Sequence, residues 1–123
     1  FSGPFYMVLT AGAKPYAKPV YVLANEQSFS AATVFTSAFK GLPNVTIVGE
    51  TTDGSSGNSR VMRLQHSNIR VRVSTMLSFQ RNGLTLDGNG TEPDRVIPAN
   101  EAQVLEGADY QLQTLLEHIN KQK

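Results

Sequence analysis

The stretch PVYVLANEQSFSAATVFTSAFKGLPNVTIVG, residues 19–49, decides the fold. Its first part, Val20-Tyr21-Val22-Leu23-Ala24, is apolar at every position. A strand covered on both faces, as in a parallel sheet between helices, reads this way. Asn25 to Ser28 is polar and predicts a turn. From Ser30 the period changes: Ala31, Val34, Phe35, Ala38 and Phe39 fall on one helical stripe, which predicts the core-facing side of a helix. Gly41 and Pro43 stop that helix, and Val45 to Val48 is the next buried strand. Strand, helix and strand make one βαβ unit, so the fold class is α/β.

Outward from this unit the pattern weakens. Phe5 to Leu9 (FYMVL) predicts a short strand ahead of a loop rich in Ala, Gly, Lys and Pro. Thr51 to Ser59 (TTDGSSGNS) is a Gly/Ser loop. Val61 to Gln65 and Ile69 to Thr75 predict a β-hairpin turning near His66-Ser67-Asn68, in which Ile69, Val71 and Val73 alternate with Arg70, Arg72 and Ser74 to give one buried and one wet face. Gln80 to Gly90 is rich in turn residues, and Pro93 and Pro98 punctuate an extended stretch. A last helix carries Leu112, Leu115, Leu116 and Ile119 on one face. Two starts compete for it: Asn100 with Gln103 resembles a capping box, whereas Gly107 and Asp109 favour a later beginning. Tyr21, Phe29, Phe35 and Phe39 are expected in the core.

The chain has 123 residues, enough for one domain or part of one. Hydrophobic residues at 40% and charged residues at 17% argue for a packed core rather than disorder. A net charge of +1 with scattered lysines and arginines gives no field to draw nucleic acid or an anionic membrane. Cysteine is absent, which excludes disulfides, thiol catalysis and cysteine-ligated zinc. No apolar run approaches the ~18 residues of a membrane span. The chain begins at Phe1 rather than Met, so it is expected to be an internal fragment or a processed product.

A serine on a tight turn after a buried strand, at a helix N-terminus, has a hydroxyl at the sheet edge and backbone N–H groups beside it that can stabilise an oxyanion. Nucleophile elbows are built this way. By position, then, Ser30 is a candidate nucleophile, although Ser28 and Ser30 can equally be helix caps. A serine nucleophile needs a base. The two histidines do not offer one: His66 falls in the hairpin turn and His118 on the polar side of the last helix, and both are expected in solvent. The loop Asp53-Gly54-Ser55-Ser56-Gly57 has no Gly-Lys-Ser/Thr after it, and the scattered acids lack the EF-hand spacing.

Three segments add a resemblance. Pro19 to Asn25 followed by Ser28-Phe29-Ser30-Ala31-Ala32, then Gly49-Glu50-Thr51-Thr52-Asp53-Gly54, then Asp87-Gly88-Asn89-Gly90-Thr91-Glu92-Pro93-Asp94, stand in the order and at the spacing of the C-terminal processing (tail-specific) peptidases and their tricorn-core relatives. They resemble that family's nucleophile segment, its GE-x-T-x-G run and its E-G-x-G-x-x-P-D run. The resemblance implies a crotonase-like (ClpP/crotonase) α/β core, present in part with an additional β-hairpin, and makes residues 1–123 the C-terminal part of a serine peptidase catalytic domain. It implies Ser30 as nucleophile and the Ala31 N–H as one oxyanion donor. Tail-processing enzymes carry a lysine right after the loop glycine, where this chain has Ser55; none of its lysines (14, 18, 40, 121 and 123) lies in that loop. The tricorn-like branch uses histidine, a supporting serine and an acid. Asp87 stands where that acid is expected, in place of the usual glutamate, and equally suits an Asp-Gly turn.

In such relatives the histidine and the glycine-rich second oxyanion strand lie upstream, so this chain alone is expected to be inactive. The implied substrate is a peptide or unfolded protein. No metal or organic cofactor is implied, a homo-oligomer is compatible with the fold, and relatives suggest a periplasmic, envelope or secreted location. A non-catalytic ligand-binding or assembly domain of the same fold, with Ser30 as a cap, is the alternative.

Overall fold

The computed structural model describes residues 2–8 and 10–121, save the side chains of residues 103 and 104. The βαβ unit forms where the periodicity places it: β1 is Val20–Ala24, α1 is Ala31–Phe39 and β2 is Val45–Gly49. β1 and β2 are adjacent and parallel, in register from Val20 opposite Val45 to Ala24 opposite Gly49. The hairpin is β3 (Ser59–Arg63) with β4 (Arg70–Ser74), antiparallel from Ser59 opposite Ser74 to Arg63 opposite Arg70. A two-residue strand, β5 (Arg95–Val96), pairs in parallel with β2, so the sheet runs β1-β2-β5 with β2 in the centre. Two residues between prolines are too few to show a period of two, which is why this strand has no sequence signal.

Both proposed helix starts exist. α2 is Glu101–Leu105 and α3 is Tyr110–Lys121. Gly107, at φ 78°, breaks the chain between them, and Asp109 Oδ1 accepts the Leu112 N–H at 2.9 Å as the cap of α3. The Gln103 half of the proposed capping box falls on a side chain outside the described residues.

β2 is the buried centre, and β1 is only half-buried: its Leu23 is exposed. Cover on both faces belongs to the central strand of this sheet. Val48, Ile97 and Leu115 form a fully buried cluster, with Tyr21, Tyr110 and Ile119 packed against it, so α3 covers the Val48 face. Ile47, also fully buried, points to the opposite face because successive strand residues alternate.

Four sequence expectations give way. Residues 5–8 form no strand and are exposed; Leu9 lies outside the described residues. An apolar run becomes a strand only when a neighbouring backbone pairs with it, and no described strand does. α1 buries Thr33 and Thr36 rather than its apolar stripe, and Phe29 and Phe35 are 64% and 53% exposed instead of lying in the core. Threonine tolerates this burial because both hydroxyls are bonded, Thr36 Oγ1 donating to the Ala32 carbonyl at 2.9 Å and Thr33 pairing with Thr52. The hairpin has no covered face: Ile69 and Val73 are exposed and Val71 is half-buried. His118 is half-buried rather than solvated.

Candidate active site

Ser30 joins the turn to α1 with φ 54° and ψ −120°, and only one other described non-glycine residue, Asn68, has a positive φ. An L-residue held there costs about 1–3 kcal/mol and persists only where the surroundings over-determine it. Helix capping does not explain the conformation, because the Ser30 hydroxyl makes no cap hydrogen bond. Ser28 does not cap α1 either; its Oγ accepts the Asn25 N–H at 3.2 Å and braces the turn. The Ser30 side chain is exposed and, among the described residues, has no hydrogen-bond partner.

The loop after β2 holds this turn from outside. Ser30 N–H donates to the Ser55 carbonyl at 2.7 Å, and Asp53 N–H donates to the Ser28 carbonyl at 3.2 Å. Ala31 opens α1, so its N–H has no carbonyl one turn back and stands beside the Ser30 hydroxyl at the positive end of the helix. Ser55, in the position where tail-processing relatives carry lysine, turns its hydroxyl onto the Asp53 carboxylate.

Asp87 reaches the same loop one residue further on. Its Oδ1 accepts the Ser56 hydroxyl at 3.2 Å and its Oδ2 the Ser78 N–H at 2.7 Å. Ser30 and Asp87 therefore contact consecutive loop residues, Ser55 through its backbone and Ser56 through its side chain. No hydrogen bond joins the two directly among the described residues. Asp87 also opens a turn, with Gly88 at φ 81° and its N–H on the Gly54 carbonyl at 3.0 Å. The turn and the contact with the loop coexist.

Behind Ser30 lies a layer that periodicity did not point to. Thr33, one turn into α1, pairs its hydroxyl with that of Thr52. Thr52 Oγ1 also accepts the Thr91 N–H at 2.8 Å, and the Thr52 N–H returns to the Thr91 carbonyl at 3.2 Å. All three threonines are buried; Thr52 and Thr91 belong to the second and third motif segments, and Thr33 directly follows the first. The one available signal was polarity: threonines opposite the apolar stripe of a helix need partners when buried. Gly49, Gly54 and Gly90 of the motifs serve close approach. A Cβ on Gly90 would lie 2.0 Å from the Thr52 carbonyl oxygen, and one on Gly49 2.1 Å from that of Ala24.

His66 is exposed in the hairpin turn. Lys40 is engaged with Asp94 at 2.5 Å. Among the described residues no group of three or more acids and histidines could hold a metal ion, and no helix is long and apolar enough to cross a membrane.

The likeness to known proteins covers most of the chain. A protein of Chlamydia trachomatis is 32% identical over 102 residues, which is 77% of this chain and 16% of that protein. The crystal structure of a candidate peptidase from Parabacteroides merdae superposes on 84% of this chain and 32% of its own, with a TM-score of 0.72 and 27% identity. The photosystem II D1 C-terminal processing protease superposes on 68% of this chain and 22% of its own, with a TM-score of 0.55 and 27% identity. The chain thus spans a third or less of the length of these relatives. Residues 6–97 match Peptidase family S41. That match takes in the strained serine, the loop that grips it and the acidic turn, and the chain belongs to peptidase family S41, the C-terminal processing peptidases.

Proposed function

We propose that this chain is the C-terminal part of a crotonase-like serine peptidase domain of the tricorn-like branch, with Ser30 as its nucleophile. Ser30 Oγ attacks the carbonyl carbon of a peptide bond. A base takes the hydroxyl proton as the C–O bond forms, and returns it to the leaving amine as the C–N bond breaks. Water then hydrolyses the acyl-enzyme. The Ala31 N–H donates to the oxyanion, and Asp87 orients the polar network through Ser56. The observation that carries this reading is Ser30 itself: a non-glycine residue in a costly backbone conformation whose hydroxyl the helix does not use.

Ser55 in place of lysine, with no lysine anywhere in that loop, favours the tricorn-like branch over the lysine-dependent one. The base and the second oxyanion donor are assigned to residues outside 1–123, so the 123-residue chain by itself turns over no substrate. Each oxyanion donor is worth about 10²–10³ in rate, and the base more. The natural polypeptide containing this chain, treated with a fluorophosphonate, is expected to label at Ser30 and lose both label and proteolysis on Ser30→Ala, while the 123-residue chain labels poorly. A natural polypeptide that digests an unfolded protein equally well with Ser30→Ala would sink the assignment.

A further inference from the structure

We propose that Thr52 is a positioning residue, whose buried hydroxyl holds Ser30 in its strained conformation; the inference rests on the reading of Ser30 as nucleophile. Two sets of bonds grip the turn. The outer set is the Ser30 N–H on the Ser55 carbonyl and the Asp53 N–H on the Ser28 carbonyl. Both come from the loop that follows Thr52, so they hold only if that loop is anchored. Thr52 provides the anchor in two directions. Towards the helix, its hydroxyl pairs with that of Thr33, three residues beyond Ser30 on the inner face of α1. Towards the acidic segment, the same oxygen accepts the Thr91 N–H at 2.8 Å, while the Thr52 N–H donates to the Thr91 carbonyl at 3.2 Å.

One side chain therefore ties together the helix bearing Ser30, the loop that catches its N–H and the segment bearing Asp87. A hydroxyl has one proton and two lone pairs, enough for the Thr33 and Thr91 bonds at once. Replacement by an isosteric apolar group leaves the buried Thr91 N–H and the Thr33 hydroxyl unpaired, and unpaired buried groups relax by moving apart. The released strain is at Ser30.

The test compares Thr52→Val, which keeps the volume and removes the hydroxyl, with Thr52→Ser, which keeps the hydroxyl. In the 123-residue chain, Thr52→Val is expected to speed hydrogen exchange of the Ser30 amide by about ten-fold, the factor set by one hydrogen bond of ordinary net worth. Thr52→Ser should leave that rate near wild type, and the amides of Ile47 and Val48 should be unchanged in both. In the natural polypeptide, Thr52→Val should slow fluorophosphonate labelling of Ser30 by up to about 10²-fold, with kcat falling and KM unchanged, and Thr52→Ser should restore it. Should Thr52→Val fail to fold, Thr33→Val serves, since it leaves the Thr52–Thr91 bonds in place and carries the same expectations. Unchanged Ser30 exchange and labelling in the valine variants would overturn the proposal, as would an equal loss in Thr52→Ser. A wild-type polypeptide that never labels refutes the nucleophile instead, and the exchange rates then decide the role of Thr52 alone.

Discussion

Gly90 and Thr91 are neighbours on the chain and answer to opposite constraints. The Thr91 hydroxyl is buried with no partner among the described residues, while its backbone makes both bonds to Thr52. Valine has the same shape without the unsatisfied oxygen. Thr91→Val is therefore expected to be neutral or to stabilise by about 1–3 kcal/mol, the penalty of a buried unpaired hydroxyl. Gly90, at φ 68°, has the Thr52 carbonyl oxygen where a Cβ would stand. Gly90→Ala is expected to cost about 3 kcal/mol or more, because neither backbone can give way cheaply. Urea denaturation of both variants checks the pair, and a loss of stability in Thr91→Val would mean that its hydroxyl has a partner in solution.

Between elements, one carboxylate joins the end of α1 to the sheet. Asp94 Oδ1 meets the Lys40 ammonium at 2.5 Å, its Oδ2 accepts the Ile47 N–H at 2.8 Å, and its own N–H donates to the Ile47 carbonyl at 2.8 Å. Burial pushes the Asp94 carboxyl up, but the hydrogen bonds from Lys40 and Ile47 and the lysine charge outweigh it and hold the group below its ordinary value of 3.8. A carboxyl whose folded value lies below its unfolded one stabilises the fold in its ionised form. That contribution is complete above the ordinary carboxylate range and is lost as pH falls below 3.8 through the depressed value. Both side chains are about one-third exposed, so solvent screening limits the ion pair to about 1 kcal/mol or less. Thermal melts are expected to show a flat Tm from neutral pH to about 5, then a fall. Asp94→Asn should lower Tm at neutral pH and flatten that fall; an unchanged acid limb would remove Asp94 from the account.

Across the whole molecule, apolar surface is left uncovered in several places, two of them on α1 and at the hairpin. Phe29, Val34 and Phe35 are exposed along α1 and its approach, and Met62, Leu64, Ile69 and Phe79 on and beyond the hairpin. Among the described residues β1 also has a free edge, since β2 is its only partner. Contiguous apolar surface and unpaired strand edges drive association. Sedimentation equilibrium of the 123-residue chain is expected to show a mass that rises with concentration in the micromolar range. Phe35→Lys, at an exposed position whose ring contact is with Phe39, should shift the mass towards monomer without loss of helical signal. A strictly monomeric chain would show that these surfaces are not adhesive.

The βαβ unit was legible because it is local: five apolar residues, a polar turn, nine residues at helical spacing and a Gly-Pro stop carry their own periods. The candidate serine was legible for the same reason, since its place between strand and helix is a matter of chain order. Which face of α1 is covered was not, because periodicity counts apolar residues and cannot see that Thr33 finds a buried partner in Thr52. The two-residue strand at Arg95–Val96 exists only because β2 offers it an edge. The same holds at the site. Sequence order placed Ser30 and Asp87 on separate motifs, whereas their meeting on adjacent loop residues, and the threonine bonds behind them, arise from contacts among segments far apart in the chain. Local spacing sets elements; only the closed tertiary structure sets which hydroxyl meets which carbonyl.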